Sequence, residues 1–162
     1  MQKIFIFYLT MVLTVHSING MCIPCGVTEV AGSPYTDGVF NPTGIRYSPD
    51  NKWLAVANFT ASTVNIYSIN PATCQITLVD TAATGGLQPF ALTFSPDSAC
   101  LAVSNFITSD ISIFTVNPTT GAITLLGGTP VPSVGFQPVG VAYSPDGTCL
   151  AVANEFDAGF IL

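Results

Sequence analysis

One motif recurs three times at almost constant spacing, and this repeat constrains the fold more than any other feature of the chain. The tripeptide Ser-Pro-Asp begins at residues 48, 95 and 144, so successive copies are 47 and 49 residues apart. Each copy is followed by a segment of the form Leu-Ala-Val-x-Asn. A fixed period of this length indicates a repeat architecture, in which each copy is one structural unit packed on its neighbours.

Each copy divides into short apolar segments separated by turn residues. In the first copy, "TGIRY" and "WLAVANF" flank Ser-Pro-Asp-Asn, in which proline presets φ and the acidic residue favours a turn. "STVNIYSI" and "QITLVD" flank a second turn that contains proline. Four antiparallel strands repeated about every 40–50 residues are typical of a β-propeller blade. A β-sandwich of unrelated strands would leave the repeat unexplained.

The repeat also places the blade boundaries within an all-β propeller segment at 21–162. We predict a lone outer strand at 27–31, blades at 43–80 and 90–126, and an incomplete blade at 139–162. A propeller needs about four or more blades to close, so the expected propeller is open or truncated. We therefore expect either a fragment of a longer protein or a short protein that self-associates through its open blade edges.

The first segment of each copy has large residues on one face and small residues on the other. In the second copy, Leu92 and Phe94 alternate with Ala91 and Thr93. Successive side chains of a strand point to opposite faces of the sheet. We therefore predict that the large-residue face of one blade packs on the small-residue face of the next.

The stretch "LAVANFTASTVNIYSINPATCQITLV" resembles the repeat of the YVTN and lactonase-type β-propellers. Those repeats carry Val-x-Asn at the end of the second strand, a β-branched third strand and an Asn-Pro-x-Thr-Gly turn. The resemblance extends from about Glu29 to Leu162. It implies a propeller of about seven blades, more than this chain contains, and it raises the hydrolysis of a sugar lactone as an activity.

Residues 1–20 have the layout of a secretory signal peptide. One lysine precedes an apolar run from Ile4 to Val15, and small and polar residues follow. The run is shorter than the roughly 20 residues of a membrane-spanning helix. We predict a signal-peptide helix and a secreted product, extracellular or periplasmic, with no stable membrane span after cleavage. An uncleaved anchor or a buried helix is the alternative.

The composition excludes some functions. Charged residues make up 7% of the chain and the net charge is −6, which argues against a nucleic-acid partner. His16, the only histidine, lies in the predicted signal peptide, so the mature chain would hold no imidazole base and only two cations, Arg46 and Lys52. Nothing in these residues indicates a cofactor.

The five cysteines follow the signal segment, where export permits disulfides. Cys74 lies in the turn between the third and fourth strands of one blade, and Cys100 starts the second strand of the next. Both are expected on the same rim, so we predict a disulfide between them and leave Cys149 unpaired. Cys22 and Cys25 have redox or zinc spacing but lack the surrounding elements of either site. We interpret this pair as structural, with redox, lipid-anchor and zinc roles as alternatives.

Two sets of polar residues repeat once per blade. The aspartates of Ser-Pro-Asp are isolated from one another and are interpreted as turn residues and not as metal ligands. Asparagines end the second strands and share a rim with acidic loop residues, where they cap their own loops or contact a cation or polar ligand. The candidate rim contacts are Asn58, Asn105, Asn154, Asp110, Glu155 and Asp157.

Taken alone, the sequence favours a secreted propeller segment that acts as a binding or scaffold module without its own catalysis. Its partner would be an unidentified protein or polar ligand. The alternative is a fragment of a lactonase-like enzyme whose active residues lie in other blades. No catalytic or metal-binding set is assigned from these residues.

Overall fold

The computed structural model describes residues 16–19, 26–29, 31–36, 38–156 and 160–161, and it describes side chains in 31–36 and 38–156. The rest of the predicted signal peptide, and Cys22, Cys25 and Asp157, lie outside the described residues. Strand β1 (His16–Asn19) pairs antiparallel with β2 (Gly26–Glu29), so the strand that overlaps the predicted lone outer strand joins no blade. Within the described ranges, no helix is long and apolar enough to cross a membrane.

The all-β prediction is confirmed, and the strands form successive antiparallel sheets. The first sheet has the order β3-β4-β5-β6, so each strand pairs with its neighbour in sequence, as in a propeller blade. Its strands are β3 (Pro42–Tyr47), β4 (Trp53–Asn58), β5 (Thr63–Ile69) and β6 (Ile76–Ala83).

The second and third sheets repeat this order. In the second, the outermost position is shared by two short strands, β10 and β11, which both pair with β9. The second sheet contains β7 (Pro89–Phe94), β8 (Cys100–Asn105), β9 (Asp110–Val116), β10 (Ile123–Leu125) and β11 (Val131–Pro132). The third contains β12 (Phe136–Tyr143), β13 (Leu150–Phe156) and β14 (Phe160–Ile161).

The large face of the second blade packs on the small face of the first, as the alternation predicts. Leu92 and Phe94 share one buried cluster with Ala55 and Ala57 of the first blade. The inner strands approach so closely that a Cβ on Gly44 would lie 2.8 Å from the carbonyl oxygen of Phe90. Two of the buried clusters therefore lie between adjacent sheets, and a third covers the outer face of the first sheet.

The Ser-Pro-Asp segments form the turns that the sequence predicts. In the third copy, the Asp146 carboxylate accepts hydrogen bonds from the Ser144 hydroxyl at 2.5 Å, the Thr148 amide at 3.1 Å and the Thr148 hydroxyl at 2.8 Å. These bonds lower the pKa of Asp146 to about 2. The aspartates of this motif therefore serve the turns.

The predicted disulfide between Cys74 and Cys100 is not present, and both thiols are free. Cys74 packs against a buried cluster that includes Leu54 and Tyr67, on the face of the first blade turned away from the second. Cys100 lines a cleft with Tyr143 of the third blade. The two thiols thus face away from the interface between the first and second blades. The prediction considered the rim that each cysteine occupies but not the face of its blade.

We expect Gly44→Ala to lower the free energy of unfolding by about 1–3 kcal/mol, because the added methyl group collides with backbone of the next blade. Gly127→Ala is the matched control, since a Cβ there meets nothing within 4 Å. Urea unfolding of both variants measures the difference. Equal stability of the two variants would contradict the close approach of the inner strands.

Acid should weaken the turn at Asp146. The folded-state pKa, about 2, lies below the ordinary value of 3.8, so the ionised carboxylate stabilises the fold above about pH 4, and this contribution is lost as the pH falls towards 2. The urea midpoint of the parent protein should therefore fall more between pH 5 and pH 2 than that of Asp146→Asn. Identical pH profiles would show that the turn contributes nothing to this dependence.

Candidate functional site

The loops after the second strands and the linkers before the first strands meet on one edge of the blades. The amide of Phe59 donates to the carbonyl of Asn41 at 3.1 Å, and the amide of Phe106 donates to the carbonyl of Gln88 at 2.9 Å. We call this edge the asparagine rim: the linkers 38–41, 84–88 and 133–137, and the residues that follow Asn58, Asn105 and Asn154. It is the rim on which the sequence places the candidate contacts.

Asn58 and Asn105 are completely buried and hold their own loops. Asn58 accepts a hydrogen bond from the Phe40 amide at 3.2 Å and donates to Thr63 and Asn65 at 3.1 and 3.0 Å. These bonds satisfy a buried carboxamide and fix the loop. An asparagine that caps its own loop makes bonds of this kind. The side-chain amides of Asn58 and Asn105 are not exposed to solvent.

The other predicted contacts differ in their environments. Asp110 is half-buried and accepts a hydrogen bond from the Asn105 amide at 2.6 Å. Asn154 is half-buried, and Glu155, the next residue, is exposed. Among the described residues, no three His, Cys, Asp or Glu side chains are placed to hold a metal ion. Of the described carboxylates on this rim, Glu155 is therefore the one that is open to solvent.

Three phenylalanine rings form a cluster on the rim that the sequence analysis did not find. The ring of Phe90 stacks on Phe106 with centroids 5.7 Å apart, and Phe59 lies 6.5 Å from Phe90 and 6.4 Å from Phe106. All three are only half-buried. We call this cluster the aromatic platform. The available signal was the phenylalanine that follows Asn58 and Asn105.

Each inner strand has a shift in its pairing register near its first residues. It falls between Pro42 and Gly44, between Pro89 and Leu92, and between Pro138 and Gly140. β-Bulges of this kind re-aim side chains and are common beside functional sites. In the second blade the shift includes Phe90, the central ring of the aromatic platform.

The residue before each of these prolines has a left-handed backbone. Asn41, Gln88 and Gln137 have φ values of 52°, 58° and 55°. Non-glycine residues with positive φ are uncommon, and in glutamine this conformation is costly. The repetition of these residues is visible in the sequence as "FNP", "LQP" and "FQP".

The two described cations are not part of the asparagine rim, although Arg46 lines a cleft along the inner strands together with Phe90. Lys52 is ion-paired with Asp50 at 3.5 Å, beside the first Ser-Pro-Asp turn at the opposite rim. Arg46 precedes the same turn near the end of β3, and its Nε donates to the carbonyl of Leu92 at 3.4 Å. The described part of the asparagine rim is therefore neutral to acidic.

The fold and the sequence together define a lactonase-type propeller. The model of the lactonase family, described as a seven-bladed β-propeller, matches residues 26–137. The chain belongs to this family, as the resemblance of its repeat indicates. No curated protein gives a match to this chain.

Solved structures with the same fold include two named for lactones. One is a candidate 6-phosphogluconolactonase from Bacteroides uniformis, which is 21% identical to this chain with a TM-score of 0.68. The match covers 80% of this chain and 37% of that protein. The other is a periplasmic gluconolactonase from Pseudomonas aeruginosa, which is 20% identical to this chain with a TM-score of 0.61. That match covers 74% of this chain and 34% of that protein.

A protein from Lactobacillus plantarum is similar at 22% identity and a TM-score of 0.71, over 88% of this chain and 44% of that one. The chain therefore spans less than half the length of each of these propellers. At these identities the likeness shows the fold.

We expect Asn58→Ala to destabilise the protein by about 1–3 kcal/mol, because it removes the acceptor of the part-buried Phe40 amide and one of the two donors to the buried side-chain oxygen of Asn65. Thr60→Ala, in the exposed loop that follows, is the control and should be close to neutral. Chemical denaturation measures both. A neutral Asn58→Ala would show that these bonds do not hold the rim.

Proposed function

We propose that the chain forms part of a propeller that hydrolyses a sugar lactone, with the ligand at the asparagine rim. The observation that supports this proposal is membership of the lactonase family over residues 26–137. Two similar structures are named for lactones as well. The sequence alone favoured a non-catalytic module, but the comparisons support the enzymatic alternative better.

Lactone hydrolysis adds water to the ring carbonyl and opens the acyl C–O bond. The reaction needs a base that takes a proton from the attacking water and donors that stabilise the oxyanion formed at the carbonyl. Glu155 is an exposed carboxylate on the asparagine rim and suits the role of base. The carboxamides of Gln88 and Gln137 lie on the same rim and can donate hydrogen bonds.

We also propose that the protein works outside the cytoplasm. The supporting observation is the N-terminal sequence, with its single lysine, apolar run and small residues. The gluconolactonase from Pseudomonas aeruginosa is named as periplasmic. A sugar lactone that reaches this compartment would be the substrate.

Hydrolysis of glucono-1,5-lactone by the purified protein tests the proposal, measured by acid release above the spontaneous rate. We expect Glu155→Gln to lower the catalysed rate by about 10²–10⁴-fold, the usual contribution of a general base. Asp50→Asn removes one charge from the opposite rim and should keep the rate. A parent protein that gives no rate above background would refute hydrolysis, and an unchanged Glu155→Gln rate would refute the assigned base.

A further inference from the structure

We infer that the asparagine rim recognises the hydroxyl groups of a neutral sugar through the carboxamides of Gln88 and Gln137, with the sugar ring on the aromatic platform. This inference rests on the proposed function for the choice of a sugar lactone as ligand. It specifies that the part of the ligand bound by these blades carries no charge. It also assigns residues that neither the repeat nor the family match singles out.

The two glutamine side chains have no intramolecular hydrogen bond among the described residues, although both are half-buried. A carboxamide offers two donors and two acceptor positions, which suits hydroxyl groups that both donate and accept. Half-buried groups of this kind gain more from a ligand than fully solvated ones, because part of their hydration is already lost.

The backbone holds both glutamines in place. The amide of Gln88 donates to the Ser62 hydroxyl, and the amide of Gln137 donates to the Ser109 hydroxyl, each at 3.2 Å. The carbonyl of Gln88 accepts from Phe106, a member of the aromatic platform. The backbone of Gln88 is thus fixed before a ligand binds, which reduces the entropy lost on binding.

The residue type at these positions is not explained by backbone geometry. Glycine adopts positive φ without a steric penalty, and the same rim uses it at Gly38 and Gly85, with φ of 70° and 80°. At Gln88 and Gln137 the chain keeps a long carboxamide in the same disfavoured region. Backbone strain that is retained with a polar side chain is typical of ligand sites.

The aromatic platform supplies the second half of a sugar site. Its rings are half-exposed, and the negative face of an aromatic ring attracts the C–H groups on one side of a sugar. In the third blade, Glu155 replaces the phenylalanine that follows the rim asparagine in the other two. The third blade therefore has a carboxylate at the equivalent position, which accepts hydrogen bonds from hydroxyls but repels a phosphate.

Charge selects between neutral and phosphorylated sugars. Lys52 lies at the opposite rim, and Arg46 lines a cleft along the inner strands with Phe90, where its Nε is bonded to the Leu92 carbonyl. The described charged groups on the asparagine rim itself are the carboxylates of Asp110 and Glu155. Phosphate sites in proteins depend on such cations or on helix N-termini. The rim built by these blades should therefore favour the neutral ligand.

The test is calorimetric titration of the full chain with gluconolactam, a neutral lactam that resists hydrolysis, and with 6-phosphogluconate. We expect gluconolactam to bind more tightly than 6-phosphogluconate. Gln88→Gly and Gln137→Gly should each weaken lactam binding by about tenfold, the value of one lost hydrogen bond. Because glycine suits the backbone at both positions, these variants should melt at or above the temperature of the parent.

Gln75→Ala is the matched control, since it removes an exposed glutamine from the turn between β5 and β6 at the opposite rim, and it should bind as the parent does. Absent lactam binding, parent-like affinity in both glycine variants, or tighter binding of 6-phosphogluconate would each overturn the inference. The hydrolysis assay separates the two proposals. Catalysis with unaffected glycine variants removes only the inference, whereas specific lactam binding without catalysis removes only the proposed function.

Discussion

The inner strands of adjacent blades lie so close at Gly44 that a single methyl group would collide with the neighbouring backbone. This approach lets Leu92 and Phe94 of the second blade fill the space above Ala55 and Ala57 of the first. Interiors packed in this way tolerate little change in volume. The asparagine rim depends on this packing, because its loops and linkers come from successive blades.

The rim shows how a repeat can keep some positions constant while others vary. Asn58 and Asn105 are buried and hold their loops, so this repeated residue type has a structural task. The residues beside them differ from blade to blade: phenylalanine after Asn58 and Asn105, and glutamate after Asn154. The constant residues fix the positions, and the variable residues decide what is presented there.

The fold was predictable because its determinants are local and repeated. The turns at Ser-Pro-Asp, the alternation of large and small residues and the period of the copies are all visible in the sequence. The positions of Cys74 and Cys100 were harder to predict, because a residue at the end of a strand or in a turn can face either side of its blade and only the packed structure decides which. The aromatic platform depends on ring contacts between Phe59, Phe90 and Phe106, which come from two blades. Such contacts have no signature in a single copy.

The hydroxyls of Ser62 and Ser109 each bind the backbone amide of the linker that opens the following blade. Both serines adopt the same left-handed backbone, with φ of 55°. This joint uses a main-chain group on one side, so it places no demand on the side chain that follows. A duplicated blade could form the same serine–amide hydrogen bond with the blade on either side. Such chains can gain or exchange blades by recombination and keep the same interface between blades. The side chain of the linker residue can meanwhile change, because the hydrogen bond uses only its backbone amide.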